Sequence, residues 1–137
     1  MQVLVIGCGR VGAMVASEMA ESGNKVFILD TDADRFQRLS ADLIEGERIV
    51  PIVGDGTIEE DLQKAEIEEA DVCVAVSARE TTNLLVAQIA KFIFKVPKVV
   101  CRVNDPLKQD MYTELGVVAL SPTKLISGMI LDAIHQS

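Results

Sequence analysis

Three glycines stand at the spacing Gly7-x-Gly9-x-x-Gly12, directly behind the apolar run Val3-Leu4-Val5-Ile6. Eighteen residues past Gly12, a second apolar run, Val26 to Leu29, ends in Asp30. These residues predict a strand, a tight turn, a helix and a second strand tipped by an acid, the arrangement that holds a dinucleotide. Gly7 permits the sharp turn out of the strand. Gly9 leaves no Cβ between a pyrophosphate and the backbone. Gly12 lets the helix lie close to the sheet. The phosphates then rest against Gly7, Cys8, Gly9, Arg10, Val11 and Gly12, on unpaired N–H groups at the positive end of the helix.

The remaining candidates cluster at the same edge. Asp30 is placed to accept both hydroxyls of an adenosine ribose and to repel a 2′-phosphate, which favours NAD or an adenine nucleotide over NADP. Thr31 and Asp32 follow it in the loop. Asp32 reads as a helix cap, and Arg35 as a surface charge or a cover for the adenine. Arg10 opposes the helix dipole, a placement that gains only when a bound phosphate reverses the local sign. Gly54-Asp55-Gly56-Thr57 ends a third strand. Its polar groups meet the adenine edge, or they form a turn into a helix capped by Thr57, with Glu60 completing a capping box. Ser77 and Ala78, after the fourth strand, lie across the topological switch point and leave room for the nucleotide. Glu80 and Asn83 begin the next helix as caps. Arg102 ends a fifth strand, where it reaches the distal phosphate or ribose, or pairs with Asp105. Cys8 is either a small residue tolerated in the turn or a redox thiol whose pKa the helix N-terminus lowers.

Equally telling is what the sequence lacks. Its one histidine, His135, lies two residues from the C-terminus. No Ser/His/Asp set, metal-ligand cluster or G-x-x-x-x-G-K-[ST] loop is present. Hydride transfer requires a positioned acid or base and a shielded substrate pocket. With no catalytic residue and no metal ligand to assign, a nucleotide sensor is the better expectation. The alternative is the cofactor-binding half of an NAD-dependent dehydrogenase.

The elements that position these residues follow from periodicity. Strand-like runs recur at 2–6, 25–29, 48–53, 71–76, 98–103 and 117–120, and helical patterns at 10–22, 32–42, 58–65, 80–94, 106–115 and 122–135. The runs are mostly continuous rather than alternating, as in parallel strands covered on both faces. Six β–α units predict one α/β domain over residues 1–137, a Rossmann-like doubly wound parallel sheet. Right-handed crossovers give the strand order 3-2-1-4-5-6, with a C-terminal helix after the last strand. Asp32, Pro106 and Ser121-Pro122 stand where helices should begin, and Gly23-Asn24 where the first should end.

Bulk properties narrow the function classes. The 137 residues are 49% apolar and 25% charged, an ordinary globular balance. A net charge of −8, with no basic run, disfavours nucleic acid. Cys8, Cys73 and Cys101 are odd in number and widely spaced, which suits reduced thiols. No apolar run approaches the roughly 18 residues of a membrane span, and no signal-peptide pattern opens the chain, so a soluble cytoplasmic protein is expected. Residues 80–94 leave little polar face, which predicts burial against the sheet on one side and a second subunit on the other. The stripe Leu125, Ile126, Met129, Ile130 and Ala133 suits ordinary core packing or reach to a partner.

Read in order, the chain resembles the nucleotide-binding domain of Trk/Ktr-type potassium-uptake regulators, called KTN or RCK-N. The resemblance rests on Gly-Cys-Gly-Arg-Val-Gly at 7–12, Ile-Leu-Asp-Thr-Asp at 28–32, Gly-Asp-Gly-Thr at 54–57, Asn83-Leu84-Leu85, Arg-Val-Asn-Asp-Pro at 102–106 and Leu120-Ser121-Pro122. It implies a domain that binds NAD(H) or ATP/ADP at the glycine loop. It also implies homodimers, often joined in octameric rings, on the cytoplasmic face of a membrane-embedded potassium transporter or channel subunit, with no insertion of its own. The membrane association is then peripheral, at the inner face and through the partner. By position, Gly7, Gly9, Arg10 and Gly12 match the phosphate loop, Asp30 the ribose acid, Asp55 the adenine-side residue, and Arg102 an arginine near the site. Positions 79–80 read Arg-Glu where the family often carries an acidic pair. The resemblance also leads one to expect a C-terminal ligand domain after the last helix of full-length regulators.

Overall fold

Six parallel strands form one sheet in the order β3-β2-β1-β4-β5-β6. The computed structural model describes residues 1–136. The chain runs β1 (Gln2–Ile6), α1 (Arg10–Glu21), β2 (Lys25–Asp30), α2 (Ala41–Glu45), β3 (Ile49–Val53), α3 (Glu59–Lys64), β4 (Val72–Ala75), α4 (Glu80–Gln88), β5 (Lys98–Arg102), α5 (Pro106–Glu114), β6 (Val118–Leu120) and α6 (Pro122–His135). The predicted fold and strand order are those observed.

The continuous apolar runs are explained by two cores. Side chains alternate across a strand. Leu4, Ile6, Phe27, Leu29, Cys73, Ala75, Val99 and Cys101 therefore enter one core with Val86 and Ala87 of α4. Val3, Val5, Val26, Ile28 and Val74 enter the other with Ala13, Ala16 and Ala20 of α1. Register aligns the strand ends that matter: Ile6 lies opposite Leu29 on one side and Ala75 on the other. The carboxyl ends of β1, β2 and β4, with the turns that follow, thus share one edge.

Three elements depart from expectation. The predicted helix at 32–42 is a 3-10 helix, Ala33–Arg38, followed by the short α2. Asp32 caps the first piece as expected, accepting the Asp34 N–H at 3.0 Å. The break falls at Leu39, whose extended backbone carries its side chain into the core. The predicted helix at 80–94 turns from α to π at Ile89–Ile93. The wider turn keeps Ile89 and Ala90 buried and leaves Phe92 and Ile93 more than half exposed. Finally, α6 is capped by Ser121, but none of its residues is buried. Core packing of the Leu125–Ile130 stripe is thereby overturned, because the sheet ends at β6 and among the described residues no layer lies beyond it. Among the described residues no helix is long and apolar enough to cross a membrane.

Candidate functional site

At the switch point, β1 turns through Gly7 with φ +104°, a region that favours glycine. A Cβ there would also lie 2.7 Å from the Ser77 Cα, so the turn packs directly against the loop after β4. A Cβ on Gly12 would overlap the Gly7 carbonyl oxygen, while one on Gly9 would meet nothing within 4 Å. Two of the three glycines are thus required by protein packing. The third faces open space. Gly9 is the N-cap of α1 and no side chain caps the helix. The Ala13 N–H bonds the Gly9 carbonyl at 2.9 Å, which leaves the first-turn amides before it without helical partners. Open space beside uncapped amides fits an anion such as a nucleotide phosphate.

A cavity of about 520 Å³ adjoins this turn. Its floor is Ile6, Gly7 and Leu29. One bank carries Asp30, Thr31 and Arg35 after β2, with Gly54, Asp55, Gly56 and Thr57 after β3. The other carries Ser77, Ala78, Arg79 and Thr82. The structure therefore brings Gly7, Asp30, Thr31, Arg35, Gly54, Asp55, Gly56, Ser77 and Ala78 together around one space. Gly9, Arg10, Val11 and Gly12 stand beside it at the start of α1 without lining it. Asp32 lines a separate open depression with Asp34, Arg35, Gln37 and Arg38. Arg102 lines neither, and among the described residues it has no carboxylate within 4.0 Å. Its expected pairing with Asp105 is not made, because the Asp105 carboxylate caps α5 instead, accepting the Leu107 N–H at 3.0 Å.

Asp30 has a structural task that its sequence position does not disclose. Its Oδ2 accepts the Cys8 N–H at 2.7 Å and its Oδ1 accepts the Asp32 N–H at 2.9 Å. Arg35 lies 3.5 Å from the same carboxylate. The acid thus fastens the glycine turn to the β2 loop. A carboxylate offers about four acceptor positions, so these two N–H bonds leave further capacity on an acid that lines the cavity. Cys8 is buried, and its thiol pKa is raised, first by burial and then by the Asp30 charge. Of the two readings of Cys8, these observations fit the small residue tolerated in the turn rather than an activated redox thiol.

Asp55 is held by its own loop. Its Oδ1 accepts from the Thr57 hydroxyl at 2.7 Å and from the Thr57 N–H at 2.9 Å, while Asp61 Oδ2 accepts the Asp55 N–H at 2.8 Å. The expected Thr57–Glu60 capping box does not form. The N-cap of α3 is Ile58, and the Thr57 hydroxyl is spent on Asp55. These bonds, the hydroxyl's first, hold the Asp55 carboxyl below its usual range, with a further contribution from the Arg79 charge.

Opposite, Asn83 is 1% exposed, and neither it nor Glu80 caps α4 as expected, since the N-cap is Arg79 and no side chain bonds the first-turn amides. Its Oδ1 accepts the Ser77 N–H and O–H, each at 2.8 Å, and its Nδ2 donates to the Ser77 carbonyl at 2.9 Å and the Arg102 carbonyl at 3.4 Å. Glu80 accepts the Asp105 N–H at 3.4 Å. Sequence reasoning missed Arg79, Thr82 and the strand-end residues Ile6 and Leu29 as lining. Arg79 and Thr82 had one available signal: they open the helix that follows Ser77-Ala78 at the carboxyl edge.

Comparison with known proteins places this geometry in context. A model of the TrkA-N domain matches residues 3–122. A Streptomyces coelicolor protein, "Trk system potassium uptake protein TrkA", is 31% identical over the whole chain, which spans 60% of that relative's length. Among solved structures, the TrkA-N domain of the Escherichia coli inner membrane protein ybaL superposes with TM-score 0.83 at 18% identity, covering 98% of this chain and 96% of that one. The AMP-bound Kef C-terminal domain of Shewanella denitrificans gives 0.76 at 22% identity, covering 100% and 84%.

Proposed function

Because the chain belongs to the TrkA-N domain family, we propose that it is the nucleotide-binding regulatory part of a potassium-uptake system. It binds an adenine nucleotide, NAD(H) or ATP/ADP, and performs no catalysis. The observation that carries this is the open space at Gly9, beside uncapped α1 amides and the cavity between the β2–β3 and β4 banks. The relative named for potassium uptake and the AMP-bound neighbour support the same conclusion.

The chain's residues have distinct tasks in this function. The α1 amides and the glycine turn bind the phosphates. Asp30 holds the turn in shape and presents its remaining acceptor positions to the ribose. Asp55, kept ionised by Thr57, accepts from the adenine amino group. Bound nucleotide supplies no chemistry here. Its identity biases the packing of neighbouring subunits, and two ligands act differently only if their affinities for two conformations differ. The exposed apolar surfaces of α6 (Leu125, Ile126, Met129, Ile130) and of Phe92 and Ile93 are where a second copy packs. The resulting dimers, joined in rings, act on a membrane-embedded transporter or channel subunit from its cytoplasmic side.

Calorimetric titration with NAD, NADH, ATP and ADP tests the site. At least one should bind. Gly9→Asp, which places a carboxylate in the open phosphate space, should abolish that binding while leaving the melting temperature close to wild type. Absence of binding by all four, or unchanged affinity in the variant, overturns the assignment.

A further inference from the structure

The cavity carries two cations of unequal standing. Arg35 lies 3.5 Å from Asp30 and 3.9 Å from Asp32, so its charge is matched on its own bank. Arg79 lines the opposite bank and is exposed, and among the described residues no carboxylate lies within 4.0 Å of it. It is also the N-cap of α4, where a cation opposes the helix dipole. Nothing in its own helix explains a positive charge at that position.

Its backbone is firmly placed. Ser77 Oγ accepts the Arg79 N–H at 3.3 Å and lies 3.2 Å from the Arg79 carbonyl, and Ser77 is itself held by Asn83 against the Gly7 turn. Its charge also contributes to the lowered pKa of Asp55 on the facing bank, so its field reaches across the cavity. Arg79 thereby lines the cavity from the bank opposite Asp55, in the same space as the Gly7 turn on which Ser77 packs.

The reach of the cavity decides which nucleotide phosphates it takes. All of its lining comes from the ends of β1 and β2, the segments that follow β1, β2, β3 and β4, and the first α4 turn, and none from β5 or β6. A dinucleotide must carry its second nucleoside across the end of β4, past Arg79, towards β5 and β6. A nucleoside diphosphate ends at that edge in a free terminal phosphate, which carries more negative charge than the esterified phosphate of a dinucleotide.

We propose that Arg79 is the specificity-determining residue of this site, its guanidinium taking the terminal phosphate of an adenosine diphosphate so that the site selects this nucleotide over a dinucleotide. This rests on the nucleotide-binding function proposed above. Titration calorimetry in magnesium-free buffer, with ADP, NAD and adenosine against wild type, Arg79→Ala and Arg79→Lys, tests it. Wild type should bind ADP roughly 10-fold or more tightly than NAD. Arg79→Ala should lose roughly 10- to 100-fold for ADP, the range of one charge-assisted hydrogen bond, and change NAD and adenosine affinity less than about 3-fold. Arg79→Lys should keep part of the ADP preference, having the charge without the fork. Arg79→Gln serves the same comparison should the alanine variant melt lower. Equal wild-type affinity for ADP and NAD, or an equal loss for both on substitution, overturns the proposal. Failure of wild type to bind any of the three overturns the nucleotide function itself, a separate outcome.

Discussion

Replacing Asn83 by alanine should destabilise the domain far more than its place in a helix suggests. The side chain makes three bonds to Ser77 at 2.8–2.9 Å and a fourth, longer one to the Arg102 carbonyl. Alanine abolishes all four and leaves the Ser77 amide, hydroxyl and carbonyl to find water in a half-buried loop. At about 1 kcal/mol for each good neutral hydrogen bond, and little for one at 3.4 Å, the loss is roughly 3 kcal/mol. For a domain of this size that lowers the melting temperature by about 10 °C. Asn83→Asp should be no better. It keeps an acceptor for the Ser77 N–H but turns a carboxylate oxygen towards the Ser77 and Arg102 carbonyls, where only a donor fits. Thermal unfolding followed by circular dichroism, with urea titration to check that the m-value is unchanged, measures both. A melting temperature for Asn83→Ala within about 2 °C of wild type refutes the assignment of these bonds as the tie between α4 and the β4 loop.

Gly12→Ala should cost at least about 2 kcal/mol in urea denaturation, because its Cβ would overlap the Gly7 carbonyl oxygen; wild-type stability would contradict the packing of α1. Gly128→Ala, inside α6, meets nothing within 4 Å and should strengthen that helix by about 0.5–1 kcal/mol, read as slower amide exchange along α6. The Asp55 carboxyl has a lowered folded-state pKa, so its stabilisation is present above the ordinary Asp value of 3.8 and is lost as pH falls through the lower folded value. Thr57→Val removes the largest cause of that shift. The variant should be less stable than wild type at neutral pH, and the gap should narrow on acidification below about pH 4; a gap independent of pH counts against the Asp55–Thr57 pairing. Burial pushes Cys73 up to about 12 and Cys101 to about 11, and raises Cys8 too. Iodoacetamide at pH 8 should therefore label none of the three in the native protein within minutes and all three in guanidinium, and rapid native labelling of Cys8 would restore the redox thiol.

Much of this molecule can be read from residue order. Continuous apolar runs at regular spacing specify parallel strands, because strands covered on both faces have no polar side to show. Right-handed crossovers then leave one strand order. The glycine spacing locates the turn, since a positive φ at Gly7 and the close approach at Gly12 admit no other residue. Asp30, Asp55, Ser77 and Ala78 follow because they stand where strands end at a common edge. Partnerships that cross the sheet depend on side-chain direction, which spacing does not encode. Only the tertiary structure assigns Asp30 to the Cys8 amide, Thr57 to Asp55 rather than to a helix end, and Asn83 to Ser77. It alone gives Arg79 a place on the cavity wall and denies one to Arg102. It also leaves α6 without a buried residue, because an amphipathic stripe says that a helix seeks an apolar surface but not whether its own sheet extends far enough to supply one.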